Sequence, residues 1–284
     1  MSEANNQLER TILEDVIRAL EEDIGTGDLS AKLIPPDQNA IAHVALKDRA
    51  VICGQPWFDQ VFNQLSDKIN INWLVKEGEL KEANNLICKL SGPARSILSG
   101  ERTALNFIQT LSSTATTAYE FTSAVKSTNT VILDTRKTLP GLRIAQKYAV
   151  RIGGAMNHRM GLHDAIMIKE NHIAACGSVE NAIKIAHANS NGKRIIIEVE
   201  TTDDAKNALE SKVDRLLLDD FKVEDMRTIV ELRKKLSLPI ELEASGGVSI
   251  DNVKEIAKTG VDFISIGSLT KDINAIDLSM RFEF

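Results

Sequence analysis

The stretch IIIEVETTDDAKNALESKVDRLLLD, residues 195–219, decides the fold. Two short apolar runs, IIIEVE (195–200) and RLLLD (215–219), flank a segment with helical character over 203–211. Strands buried on both faces read as near-continuous apolar runs. A helix between two of them implies parallel strands joined by a crossover. The same rhythm extends both ways, through VILD (131–134) and AIMIK (165–169) before it, and IELEAS (240–245) and DFISIG (262–267) after it. Further helices are predicted over 178–189, 223–236 and 250–259. The second part of the chain is therefore a parallel sheet with helices outside. Its strands end in Asp134, Lys169, Glu200, Asp219, Ser245 and Gly267. In a β/α barrel such strand ends converge on one mouth, where the active site lies. An open Rossmann-type sheet would want a GxGxxG turn after its first strand, and the chain has none.

Upstream the pattern differs. Leu8, Ile12, Leu13, Val16, Ile17 and Leu20 recur at helical spacing over 8–22, and Gly25, Gly27 and Asp28 end that helix. Residues 40–53 and 69–90 hold short strand-like runs (IAHVAL, INWLV, LICKL), and Gly92–Pro93 marks a turn. A long helix follows from about Gly100 to Lys126, with Leu105, Ile108, Leu111, Ala115, Ala118 and Val125 on one side. This reads as a first α/β domain and a bridge into the second.

Composition excludes several classes. Of 284 residues, 43% are hydrophobic and 26% charged, as in an ordinary globular protein. The polar, acidic start MSEANNQLER does not read as a signal peptide, and no apolar run reaches the roughly 18 residues of a membrane span. Three scattered cysteines (Cys53, Cys88, Cys176) outside any CxxC pattern argue against a disulfide framework or structural zinc site and fit a reducing, cytoplasmic compartment. A net charge of −6 with 4% aromatics argues against nucleic-acid binding.

Against that acidic background, residues 131–172 hold seven basic side chains (Arg136, Lys137, Arg143, Lys147, Arg151, Arg159, Lys169) and three acidic ones (Asp134, Asp164, Glu170). A local excess of positive charge points to a focused site for a small polyanion. An isolated Arg–Lys pair is ordinarily a solvated turn, but Arg136–Lys137 follows a strand inside the basic stretch and reads as two cations at the barrel mouth. Gly153–Gly154 precedes Asn157–His158–Arg159 and would let backbone approach a ligand closely; His158 itself reads equally as structural or functional. His163 and His172 read as structural, their spacing matching no metal site. Lys169, ending an apolar strand, is expected to meet an anionic ligand. Glu198 and Glu200 alternate on one face; Glu200, nearer the strand end, is the functional candidate, and Glu198 can simply pair with a neighbouring lysine. Asp219 is expected at the mouth, with Asp220 facing solvent or capping the next helix. Ser245–Gly246–Gly247 and Ile266–Gly267–Ser268, at successive late strand ends, suit a phosphate. Arg102, on the bridging helix, reads from physics alone as an exposed helix residue.

With these residues assembled, the chain closely resembles the decarboxylating quinolinate phosphoribosyltransferases, the nicotinate-nucleotide pyrophosphorylase family. The resemblance covers nearly the whole chain: EDIGTGDLS (22–30), SGERTALNF (99–107), DTRKTLPGLR (134–143), GGAMNHRMGLHD (153–164), IKENH (168–172), EVE (198–200), LLLDDF (216–221), EASGGV (243–248) and ISIGSLT (264–270). Two positions depart from it: Ala155, where a third glycine is common, and Asp220, where Asn is usual.

The resemblance implies an N-terminal α/β sandwich over 1–112, an incomplete parallel β/α barrel of the type II phosphoribosyltransferase kind over 113–274, and a tail, 275–284, returning to the first domain. It implies transfer of the phosphoribosyl group of 5-phosphoribosyl-1-pyrophosphate (PRPP) to quinolinate, with Mg²⁺, giving nicotinate mononucleotide, pyrophosphate and CO₂ on the de novo route to NAD. Arg102 of the partner subunit, Arg136, His158, Arg159 and Lys169 would hold quinolinate, Thr135 would also bind substrate, and Lys137 would hold the pyrophosphate. Glu200 and Asp219 would position the ribose and the Mg²⁺ carried by PRPP. Ser245, Gly246, Gly247, Ile266, Gly267 and Ser268 would cradle the 5-phosphate. The working unit would be a homodimer or larger, with a shared site and no nucleic-acid or membrane partner.

Three rival readings carry less. A paralogue with the same barrel, such as the relative found with molybdate-transport genes or a nicotinate-using enzyme, would not need the full cationic set. A phosphate sensor would not need the strand-end carboxylates. A carrier module over 73–93 lacks a suitably flanked lysine.

Overall fold

The computed structural model describes residues 3–284, in two compact units. The first comprises residues up to Tyr119 together with Leu139–Gly154 and Thr270–Phe284. It opens with α1 (Glu3–Ile24), then β1 (Asn39–Leu46), β2 (Ala50–Val51), α2 (Gln55–Leu65), β3 (Asn70–Trp73), β4 (Leu80–Lys81) and β5 (Leu86–Pro93). It adds the long α3 (Ala94–Val125) up to Tyr119, and later α4 (Arg143–Ile152). The main sheet is antiparallel; its order, β3-β5-β1, is closed off by the last strand of the chain, β12 (Leu278–Glu283), beside β1.

Alternation explains its core. Ala40, Ala42, Val44 and Leu46 are the buried positions of β1. With them cluster Ile12 and Val16 of α1, Trp57, Phe58, Val61 and Phe62 of α2, and Ile108 and Leu111 of α3. Each large side chain so buried contributes about 1.5–3 kcal/mol. The sequence patterns anticipate α1, the strands and α3. They do not anticipate α2, whose apolar residues are crowded on one side of only three turns.

The second unit, Glu120–Thr138 with Ala155–Leu269, is the β/α half. Its strands are β6 (Val131–Leu133), β7 (Ala165–Ile168), β8 (Arg194–Val199), β9 (Arg215–Asp219), β10 (Glu241–Ser245) and β11 (Phe263–Ser265). They form one parallel sheet in the order β6-β11-β10-β9-β8-β7. Between them run α5 (Glu170–Cys176), α6 (Val179–Asn189), α7 (Thr202–Leu209), α8 (Val223–Lys235) and α9 (Val253–Ala257). The short α10 (Ser268–Lys271) follows β11. All six predicted strands are present. A full β/α barrel has eight, so this one is incomplete.

Strand register divides the sheet into two faces. Ile195, Ile197, Leu216, Leu218, Leu242, Ala244 and Ile264 are buried on the helix side. The other face carries Met167, Glu198, Leu217, Asp219, Glu243, Ser245 and Ser265, and these line one common cavity. Side chains from five neighbouring strands reach one hollow only because the sheet curls around it. Ala165, Ile196 and Leu217, with Met167, plug the hollow lower down.

Candidate active site

That cavity, of ≈ 220 Å³, lies at the carboxyl ends of the strands. Its lining includes Thr135, Arg136, Lys137, His158, Arg159 and Lys169, from segments up to 34 positions apart in the chain. Below the cations sit Glu198, Asp219, Glu243 and Ser245. The mouth is thus cationic over an anionic floor.

Lys169, Arg159 and His158 are held by identifiable partners. The loop after β6 begins at Asp134, which is fully buried. Its carboxylate accepts from Asn157 Nδ2 at 2.6 Å and from the His158 backbone N–H at 2.8 Å. Asp134 therefore pins the turn that carries His158 and Arg159. Thr135 Oγ1 accepts from the Lys137 N–H at 3.1 Å and shapes the loop that presents Lys137. Lys169 Nζ lies 2.7 Å from both oxygens of Glu198 on the adjacent strand, the pairing expected for Glu198. The lysine remains 41% exposed, so it is held in place and still open to an incoming anion.

Arg159 is anchored by its Nη1 on the Ala165 carbonyl at 3.1 Å. Burial, and then the positive charge of nearby Arg136, pull its pKa below the usual arginine value, against Asp164 and Glu198. A guanidinium whose charge is disfavoured by burial and by a neighbouring cation is prepared for anionic oxygens.

His158 is more constrained than a free imidazole. Its Nδ1 accepts from the Arg159 backbone N–H at 2.7 Å. Its Nε2 faces Glu243 Oε2 at 3.3 Å, with 6% of the side chain exposed. The same Glu243 oxygen receives Arg215 Nη1 at 2.8 Å. Arg215 also reaches Glu241 at 2.9 Å and lies 3.9 Å over the Phe263 ring. Burial alone would raise the Glu243 carboxyl; its contact with His158, then Arg215 and Ser265, outweigh it and hold it below the usual range.

Other sequence candidates are placed differently. Glu200 is exposed and lines a neighbouring hollow of ≈ 260 Å³ with Glu170, Asp204 and Glu198, the last bordering both cavities. Gly246 and Gly247 have φ of +87° and +57°, and a Cβ on Gly246 would strike the Asp220 carboxylate and backbone. Ile266 is buried, so only its backbone can face a ligand. Gly267 lies against the Lys137 and Thr135 side chains, and Ser268 opens α10. Arg102 is an exposed residue of α3, in the first unit. Of the basic stretch, Arg143, Lys147 and Arg151 belong to α4 of the first unit and are not in the cavity lining; Lys147 is buried. Only four of the seven cations make the mouth. Gly153 serves packing, since a Cβ there would meet the Ala115 carbonyl of α3.

The sequence alone gives no role to four residues. Asp134 was visible as a strand end. Arg215, Glu241 and Glu243 alternate on facing strands, and a buried charge at period two is the signal that would have found them. Among the described residues, no three His, Cys, Asp or Glu side chains converge as a metal site. No helix among them is long and apolar enough to cross a membrane.

Residues 24–112 match the family described as quinolinate phosphoribosyl transferase, N-terminal domain, and residues 114–281 its C-terminal domain. The chain is 39% identical over 260 residues to a probable nicotinate-nucleotide pyrophosphorylase (carboxylating) of Bacillus subtilis, covering 91% of this chain and 89% of that protein. It is 35% identical over 290 residues to a mitochondrial quinolinate phosphoribosyltransferase (decarboxylating) of Nicotiana tabacum, covering 95% and 82%. The solved nicotinate-nucleotide pyrophosphorylase of Francisella tularensis superposes with a TM-score of 0.92 at 43% identity, covering 97% of each chain.

Proposed function

This chain belongs to the quinolinate phosphoribosyl transferase family and is a phosphoribosyltransferase of pyridine-nucleotide biosynthesis; on that premise we propose how its barrel mouth works. The acceptor is quinolinate, a pyridine with adjacent carboxylates. The observation that carries this reading is the gathering of Arg136, Lys137, His158, Arg159 and Lys169 around one cavity, with the charge of Arg136 bearing on Arg159. A dianion between them relieves that repulsion; a monocarboxylate relieves less. Arg136, Arg159 and Lys169 take the two carboxylates, with His158 at the wall. Arg102 of the partner subunit completes the clamp in a homodimer.

Lys137, exposed on the loop after β6, holds the pyrophosphate of PRPP. Asp219 and Glu200 face the ribose. Backbone N–H groups of Gly246, Gly247, Gly267 and Ser268 receive the 5-phosphate, Ser245 and the Ile266 backbone shaping those two turns. The pyridine nitrogen attacks C1 of the ribose as the bond to pyrophosphate breaks and its electron pair leaves with pyrophosphate. Negative charge at Asp219 in the mouth, and at Glu200 in the adjoining hollow across Glu198, favours the cationic ribose as it develops. The bond from ring C2 to its carboxylate then breaks. CO₂ departs, the electron pair stays beside the pyridinium nitrogen, and that carbon takes up a proton. No covalent enzyme intermediate is needed, and positioning carries much of the rate.

Mg²⁺ fits the donor set. Glu200 and Asp219 are hard oxygen donors, and Glu200 lies in a hollow lined by further carboxylates. Mg²⁺ is commonly held by one or two carboxylates together with substrate phosphates. Bound so, it would neutralise charge on the departing pyrophosphate.

Product formation from quinolinate, PRPP and Mg²⁺, with nicotinate as the parallel acceptor, tests the reading. Nicotinate mononucleotide and CO₂ from quinolinate alone support the dicarboxylate clamp. Product from nicotinate instead would overturn it. Mixing inactive Arg102→Ala with inactive Lys169→Ala subunits tests the shared site: mixed dimers regain activity, and no recovery despite demonstrated exchange removes Arg102 from the clamp. The proposed setting is cytoplasmic, as the reduced cysteines suggest.

A further inference from the structure

The floor of the mouth holds charges that the reaction above does not use. Arg215 and Glu243 are 5% and 0% exposed, deep for a formal ion pair. Burying such a pair is an expensive way to stabilise a core, and apolar residues of similar volume do as well or better. Its arrangement also has a direction. Glu241 and the Phe263 ring fix the Arg215 guanidinium from one side. Arg215 then fixes Glu243, and the same Glu243 oxygen faces His158 Nε2. At the far side of the imidazole, Nδ1 accepts the Arg159 N–H. An acceptor role leaves Nδ1 without a proton, so the proton of the neutral ring sits on Nε2, toward Glu243.

We infer that Glu243, held by Arg215, is a positioning residue for the acceptor end of the site: it fixes the tautomer and orientation of His158, and through the Nδ1 contact the backbone from which the Arg159 guanidinium projects. The inference rests on the reading that Arg159 and His158 border the acceptor. Asp134 holds the same turn from its other side, through the His158 N–H and Asn157. The turn is thus clamped between two buried carboxylates, one just past the end of β6 and one within β10. Neither needs to touch the substrate. Lys137 and the Gly267–Ser268 turn lie on other loops; the Gly246–Gly247 turn follows Glu243 on its own strand, but it offers backbone N–H groups and the Glu243 side chain is directed to Arg215 and His158, so the donor end does not take its ligands from Glu243.

The test is steady-state kinetics and long-range ¹H–¹⁵N spectra of the histidine rings on Glu243→Gln and on the double variant Arg215→Leu/Glu243→Leu. The first keeps shape and removes charge. The second removes both charges together, so the core is not left with one buried ion. In the double variant KM for quinolinate rises about tenfold or more, the effect of losing a hydrogen bond to a charged group. KM for PRPP stays within about twofold, since its ligands are untouched. Glu243→Gln shows the same selectivity with a smaller rise. The His158 ring gives the Nε2–H pattern in the wild type and loses that single-tautomer signature in the double variant. A merely structural role would move both KM values, or stability alone. Equal rises for both substrates, or an unmoved quinolinate KM with an unchanged His158 spectrum, would overturn the inference. Arg159→Ala separates the two layers of the reading. If it leaves quinolinate KM unchanged, the acceptor site itself is misplaced and the positioning role falls with it. If it raises KM while the Glu243 variants do not, only the positioning role falls.

Discussion

Asp15 in the first unit and Glu243 in the barrel are both almost fully buried, at 3% and 0% exposure, yet their carboxyl groups are pushed in opposite directions. Asp15 caps the Trp57 indole N–H at 3.1 Å. Burial raises its pKa more than that hydrogen bond and Arg18 lower it. Asp59, half-buried beside Trp73, behaves the same way. In the barrel, Glu243 is held low by His158 and then Arg215, and Glu241 by Arg194 and Arg215. A carboxylate that only needs to accept a hydrogen bond can tolerate a neutral partner. A carboxylate that must stay charged to hold other groups in place needs a cation. The first unit uses its acids to finish a core; the barrel uses them to aim a mouth.

The sharpest way to break this contrast is activity. Lys137→Ala and Glu200→Ala, both exposed positions, should each lower turnover about 10²–10³-fold, the range for removing one group that stabilises charge in a transition state. Thermal unfolding should be unchanged. Asp15→Asn should leave turnover within about twofold, since Asn can still accept the Trp57 N–H. Initial rates at saturating quinolinate and PRPP decide it: normal turnover in Lys137→Ala would remove Lys137 from the mechanism, and a large loss in Asp15→Asn would erase the division of labour.

Stability is the next test. Arg215→Met leaves Glu243 buried without its guanidinium, and breaking such a pair is expected to destabilise by about 3–5 kcal/mol. Asp15→Asn should stay within about 1 kcal/mol of wild type. Urea titrations of both variants measure this. A small effect for Arg215→Met would mean that water reaches Glu243 once its guanidinium is gone.

These two regions were not equally legible from sequence. The six barrel strands stood out because parallel strands covered on both faces are apolar throughout, and ILLD-like runs survive without context. The mouth followed from where those runs stop. Three things escaped. Helix α2 packs Trp57, Phe58, Val61 and Phe62 over so few turns that its periodicity is short. The three cations of α4 counted toward a local charge excess although the chain leaves the barrel there, entering the first unit between Leu139 and Gly154. And Arg215 and Glu243 drew no reading: their period-two charges inside apolar strands were the only local signal, and the pairing itself joins residues 28 positions apart on neighbouring strands.

The pH dependence sharpens the contrast with less effect. Glu243 is lowered from 4.5 in the folded state, so the stability it contributes is fully present above that value and is lost as pH falls through its folded pKa. Asp15 is raised from 3.8, so it carries a penalty at neutral pH that is relieved as pH falls through its folded pKa toward 3.8. Wild type should therefore lose more stability than Glu243→Gln on acidification below 4.5. Against Asp15→Asn the order reverses: wild type should gain relative to that variant over the interval just above 3.8. Thermal midpoints across a pH series read both signs. Parallel curves for wild type and Glu243→Gln would mean that Glu243 has the same affinity for protons folded and unfolded.

The smallest effect concerns Asp220, a carboxylate that belongs to neither pattern. It is exposed, its φ is +54°, and its N–H donates to the Ser245 carbonyl at 3.0 Å. Asp and Asn tolerate that left-handed backbone better than other side chains, so shape alone permits either. Charge distinguishes them. The Asp220 carboxylate lies against Gly246, and an Oδ1 sits 3.6 Å from where a Gly247 Cβ would be, beside the turn proposed to receive the 5-phosphate. An anion placed next to a phosphate site weakens it, though solvent screens an exposed charge strongly. Asp220→Asn should therefore lower KM for PRPP by only about two- to threefold, leave KM for quinolinate unchanged, and show its gain shrinking as salt is added. A gain that persisted in high salt would come from altered turn geometry instead of charge, and an unchanged KM for PRPP at low salt would argue that the 5-phosphate does not bind at the Gly246–Gly247 turn.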